Sequence, residues 1–128
     1  MTPAYTCVLI AVILPFIWAA IAKRPFFKAQ NYDNNAPRQL LETLEGAYKR
    51  ANWAQQNAFE ALPGFIGGVV IAQLAGVAPA MINTLAVIFI VARIAHGILY
   101  IKDMATARSL AWTVGIICVI GLYVAAIL

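Results

Sequence analysis

The sequence predicts an all-α fold, an integral membrane four-helix bundle whose helices run antiparallel, up and down. Composition is the first observation behind it. Of 128 residues, 63% are hydrophobic and 11% charged, whereas soluble chains carry about 25% charged residues and a domain this small has much surface to cover. The second observation is where the charges stand. None falls in Met1–Ala22, Ala61–Ala92 or Ser109–Leu128, and uncharged apolar stretches of this length are membrane spans. A water-soluble monomer is excluded. With no internal repeat or low-complexity tract, residues 1–128 read as a single transmembrane domain.

The first span, residues 4–22, is long enough at about 1.5 Å per residue to cross a hydrocarbon core of about 30 Å. Lys23 and Arg24 follow it where a removed signal peptide would have small residues, so it reads as a signal anchor, and Pro15 is expected to kink it. Residues 23–38 are rich in Pro, Asn and charge and are expected to form a loop. Pro37 suits a first helical turn. From it Leu40, Leu41, Leu44, Ala47, Ala51, Ala54 and Ala58 follow helical steps, which predicts one helix entering the membrane near Ala51 and spanning residues 51–74. Pro63 predicts a bend in it, and Gly64, Gly67 and Gly68 permit a close helix contact. The turn Gly76–Pro79 leads to a third span over residues 80–100, and a polar connection, Ile101–Ala107, to a fourth over 108–128.

The formal net charge of +4 would suggest nucleic acid in a soluble protein. Here six of the nine basic residues (Lys23, Arg24, Lys28, Arg38, Lys49, Arg50) lie between the first two spans. They mark a cytoplasmic loop, and no nucleic-acid partner is expected. The same rule puts the third connection in the cytoplasm and the N- and C-termini on the non-cytoplasmic side. Cys7 and Cys118 lie in apolar segments without a CxxC or Cys/His cluster, so both read as small buried hydrophobes. A lone His cannot build a zinc site, and no metal is expected.

Chemistry is carried by polar side chains where membrane depth makes them costly. On the second span Arg50, Trp53, Asn57 and Glu60 follow steps that share one helical face, as do Arg93, His96 and Tyr100 on the third. Arg108 and Ser109 open the fourth span at the same level, with Trp112 one turn further in. Each has an ordinary explanation: Arg93 and Glu60 as a buried ion pair, Asn57 as an interhelical hydrogen bond, Arg108 as a snorkelling end residue, Trp53 and Trp112 as interfacial aromatics. Together they describe a site for a small zwitterionic or anionic ligand. A guanidinium such as that of Arg108 would hold a thiol as its reactive thiolate, and a lipophilic second substrate would arrive through the bilayer.

The stretch Arg50–Pro63 (RANWAQQNAFEALP), with its Asn57 and Glu60, resembles the second-helix signature of the MAPEG superfamily, the membrane-associated proteins in eicosanoid and glutathione metabolism. Ala92–Tyr100 (ARIAHGILY) and Arg108-Ser109 look like the third-helix segment and the start of the fourth in its prostaglandin E synthase branch. The resemblance implies a bacterial-type member similar to the microsomal glutathione transferases, in the bacterial inner membrane. It implies a homotrimer in contact with membrane lipids, with glutathione between subunits towards the cytoplasm. By similarity Arg50, Asn57, Glu60, Arg93, His96 and Tyr100 would bind glutathione, Glu60 taking its amino group. Arg108 and Ser109 would be catalytic beside the thiol. The chain departs from the pattern at Trp53, where many relatives carry Arg, at Gln56, where another basic group is absent, and at Trp112, which replaces a Tyr.

Two functions follow. One is a glutathione-dependent transferase or peroxidase acting on lipophilic electrophiles, favoured by Arg108, Ser109, His96 and Tyr100. The other is a non-catalytic scaffold that binds lipid or a partner protein, favoured by Trp53 and Gln56. A proton-coupled transporter using Glu60 is a third, opposed by the charge bias of the loops.

Overall fold

A computed structural model describes residues 3–128; Met1 and Thr2, which the charge-free first segment and the single domain include, lie outside the described residues. Among the described residues every regular element is a helix: α1 (Pro3–Lys28), α2 (Pro37–Glu42), α3 (Gly46–Leu74), α4 (Pro79–Ile101) and α5 (Ala105–Ile127). Four of these, α1, α3, α4 and α5, are long and apolar enough to cross a membrane.

Boundaries differ from the expected ones in three places. α1 continues through Pro25 to Lys28, so the loop expected from residue 23 begins only after Lys28. The helix expected to run unbroken from Pro37 stops at Glu42 and restarts at Gly46. Thr43 and Leu44 close α2 with tight bonds to the carbonyls of Leu40 and Leu41, and Gly46 takes φ +60°, which glycine adopts without steric cost. Periodicity did not reveal the break because Leu41 and Leu44 are buried with Ala22 and Ala51 on either side of it, keeping the apolar spacing across an interrupted backbone. Finally, α5 starts at Ala105, a turn before Arg108.

α1, α3 and α4 all end in the same way. The amides of Asn31, Val77 and Met104 reach back to Phe26, Ala72 and Leu99, around a left-handed residue at Gln30, Gly76 and Asp103 respectively. This is the Schellman cap, which satisfies carbonyls left without helical partners. At the start of α1 the Ala4 amide donates to Asn83 Oδ1 of α4 at 3.1 Å.

The core is built of small and aromatic side chains. Phe65 of α3 and Phe89 of α4 stack with centroids 3.9 Å apart, amid buried Ala4, Cys7, Ala11, Val69, Ala86, Cys118 and Leu122. Both cysteines are free and buried, as expected of small hydrophobes. Gly67 and Gly68 lie against Tyr123 and Leu122, and Gly64 against Val119, all on α5 of the same chain. The close approach anticipated for these glycines is therefore made within one subunit. Towards the far end, the Trp18 ring of α1 rests directly on the Cα of Gly97 in α4, where no side chain would fit. Large apolar side chains remain exposed on the outer faces, among them Leu9, Phe16, Val91, Leu110 and Ile117. Such faces suit lipid contact.

Candidate functional site

The polar side chains singled out on three helices meet at one end of the bundle, the end where α3 begins and α4 gives way to α5. Helical steps of three and four align Trp53, Asn57 and Glu60 on α3 and Arg93, His96 and Tyr100 on α4. The connection of Lys102–Met104 is so short that Arg108 and Ser109 lie beside Tyr100.

Arg93 is buried, 4% exposed. A buried guanidinium requires partners. It donates to Asn57 Oδ1 at 2.7 Å, and Asn57 Nδ2 donates onward to Glu60 Oε2 at 3.3 Å. Asn57 thus stands between the cation and the carboxylate and connects them by two hydrogen bonds, in place of the direct Arg93–Glu60 pair. Glu60 itself is exposed.

Tyr100 is the second organiser. The Arg108 guanidinium lies over its ring, Cζ 4.3 Å from the centroid, a cation–π contact. His96 meets the same ring edge-on at 5.6 Å and Trp53 stands 6.2 Å away, tilted by 49°. His96 is 3% exposed, and its Nδ1 has no hydrogen-bond partner among the described residues.

Three cavities adjoin along this seam, with Asn57 in the wall of each. One of about 220 Å³ lies between Asn57, Glu60, Phe89, Arg93 and Trp112, kept open by the missing side chain of Gly115. Another, about 430 Å³, is bounded by His96, Tyr100, Arg108, Ser109, Trp112 and Thr113. The third, about 280 Å³, lies between Trp53, Gln56, Glu60 and Tyr100. Small-molecule sites of roughly 300–1,000 Å³ are common, so the seam has room for a ligand of several functional groups. Arg108 stands in the second cavity and Glu60 in the third, while the first is lined by both Glu60 and Arg93.

Asn57, Glu60, Arg93, His96, Tyr100, Arg108 and Ser109 are all brought together. Arg50 is not. Its Nε donates to the Ile101 carbonyl at 3.0 Å, tying the start of α3 to the end of α4, and it lines none of the three cavities. Phe89, Gly115 and Thr113 escaped the sequence reading. Phe89 lies four residues before Arg93 and Gly115 three beyond Trp112, so extending each polar face by one turn finds both. Among the described residues no group of His, Cys, Asp and Glu is placed to hold a metal ion.

The model of the MAPEG family matches residues 3–128, essentially the whole chain. A comparison with curated proteins gives no match.

Proposed function

The chain belongs to the MAPEG family, and from that premise we propose that it is a glutathione-dependent transferase or peroxidase acting on lipophilic electrophiles. MAPEG includes glutathione transferases and related enzymes. The observation that carries the reading is the single cavity holding Arg108, Ser109, His96 and Tyr100, which shares the walls Asn57 and Tyr100 with the cavity of Glu60. A zwitterionic peptide thiol needs cation and carboxylate at separate places, and the seam supplies both.

Glutathione would contribute the sulfur nucleophile. The Arg108 guanidinium holds that sulfur in its anionic form by direct charge interaction, and the Tyr100 ring beneath it fixes where it points. Glu60 receives the ammonium group, and Asn57 and Arg93 set the position of Glu60 through the hydrogen-bonded chain. His96 Nδ1, buried and unpartnered, offers a donor or acceptor to the ligand backbone. Arg50 acts through the Ile101 carbonyl and so positions the short connection that carries Arg108.

The protein would assemble as a homotrimer, as MAPEG proteins often do, with the basic end of the bundle, and so the connections from α1 to α3 and from α4 to α5, in the cytoplasm. The electrophile would reach the sulfur from the bilayer. Gly64, Gly67 and Gly68, turned to α5 within the chain, lend the trimer no support. Its support is family membership and the exposed apolar faces.

A second reading, a non-catalytic scaffold that binds lipid or a partner protein, is favoured by one observation: Arg93 already donates to Asn57 within the chain. Titration calorimetry with glutathione on the detergent-solubilised protein separates the two. Saturable binding at millimolar concentration or below supports the enzyme, and its absence supports the scaffold.

A further inference from the structure

The cavity between Trp53 and Tyr100 has a composition of its own. Five residues line it, Trp53, Gln56, Asn57, Glu60 and Tyr100, and none is basic. Among the described residues its one charge is the Glu60 carboxylate, exposed and bonded only by the long 3.3 Å donation from Asn57. An anionic group entering here would meet that carboxylate and no basic side chain in the lining. A cationic group would be attracted to it.

The two rings sharpen the choice. Trp and Tyr attract cations by the negative faces of their π systems, Trp most strongly. Both already do so with the chain's own residues: Lys49 Nζ lies 5.5 Å from the Trp53 centroid and Arg108 Cζ 4.3 Å from that of Tyr100. Neither Lys49 nor Arg108 lines this cavity. A primary ammonium such as that of glutathione is held at Glu60 by hydrogen bonds to the carboxylate and makes little use of the rings. An alkylated ammonium makes few or no hydrogen bonds and is held by charge and by ring faces, which is what this cavity provides.

We propose that the cavity of Trp53, Tyr100 and Glu60 binds an alkylated ammonium group. The inference deepens the glutathione reading in sharing Glu60, so the two ligands should compete. The group is carried either by a soluble amine or by the choline headgroup of a lipid, since the chemistry is the same.

The test uses the full-length protein in a maltoside detergent, with tetramethylammonium chloride as the probe and sodium chloride at equal ionic strength as the control. Calorimetry without glutathione should give saturable binding of tetramethylammonium, weakened roughly 3- to 30-fold by Trp53→Leu. Glu60→Gln should also weaken it. Trp53 is 41% exposed, so its replacement should leave the fold intact. Tetramethylammonium that binds no better than sodium, or binds equally well to Trp53→Leu, overturns the proposal. Tetramethylammonium that binds where glutathione does not supports this site and rejects the glutathione reading. Repeating the titration in choline-headgroup and glycerol-headgroup nanodiscs identifies the source. Suppression confined to choline headgroups supports the lipid, and equal binding in both supports a soluble amine.

Discussion

Gly97 is the position where one added methyl group should do most harm. A Cβ built there would lie on the indole of Trp18, overlapping Cζ2 and Cε2 and standing 2.9 Å from Cη2. Carbon atoms settle at about 3.5–4.0 Å, so even Cη2 must retreat by roughly 0.6 Å or more, and the other two atoms further. The ring has little freedom to do so. It is 6% exposed and packed among Leu14, Ala54 and Ala58, with Ile21, Tyr100 and Ile101 against the same cluster. Overpacking of this kind costs about 1–3 kcal/mol, so Gly97→Ala should destabilise the protein by that amount. Because Tyr100 belongs to the displaced cluster and carries Arg108, the substitution should also weaken any ligand held beside Arg108. Sodium dodecyl sulfate titration of the detergent-solubilised protein, followed by far-ultraviolet circular dichroism, reads the stability. Trp18→Phe supplies the control, since the smaller ring vacates the contested space. Combined with Gly97→Ala it should recover about 0.5–2 kcal/mol relative to additivity. Unchanged stability in Gly97→Ala, or strict additivity in the pair, would refute the packing argument.

Other substitutions probe the rest of the molecule. Arg93→Met should destabilise the bundle by about 1–3 kcal/mol, because Asn57 Oδ1 loses its 2.7 Å donor at membrane depth; the same detergent titration measures it. Gln30→Gly should raise stability by about 0.5 kcal/mol, since Gln30 sits at φ 54° in the cap of α1 where glycine is unstrained; a melting curve detects the shift. A cysteine introduced as Gln30→Cys should react with an impermeant maleimide only after permeabilisation if the connection after α1 is cytoplasmic, and reaction in intact cells would invert the topology. Glu60→Gln should weaken glutathione binding about tenfold in calorimetry by removing the charge that meets the ammonium, while leaving sulfur ionisation in the residual complex unchanged.

The four spanning helices were legible because membrane depth enforces a simple rule: charge is absent wherever the chain meets hydrocarbon. The facing of Asn57, Arg93, His96 and Tyr100 was legible for a related reason, since polar groups in such helices turn inward and helical spacing names their face. Contacts between helices were not. Arg50 shares a face with Asn57 by spacing, yet a backbone carbonyl on α4 takes it. The glycines of α3 signal a close approach without saying to which helix. Nothing local to Gly97 announces Trp18, which lies far away in sequence. The interruption at Thr43–Glu45 was hidden because both sides contribute leucine and alanine to one apolar cluster.

In the proposed mechanism Arg108 keeps a bound thiol ionised. An ultraviolet difference spectrum of the protein with saturating glutathione, recorded for the native chain and for Arg108→Leu, tests it most directly. The native protein should develop the thiolate absorption band near neutral pH. Arg108→Leu should bind glutathione, as calorimetry on the same sample verifies, without developing the band, because a neutral neighbour no longer favours the anion. A full thiolate band in Arg108→Leu, with glutathione bound to a folded protein, would contradict the account.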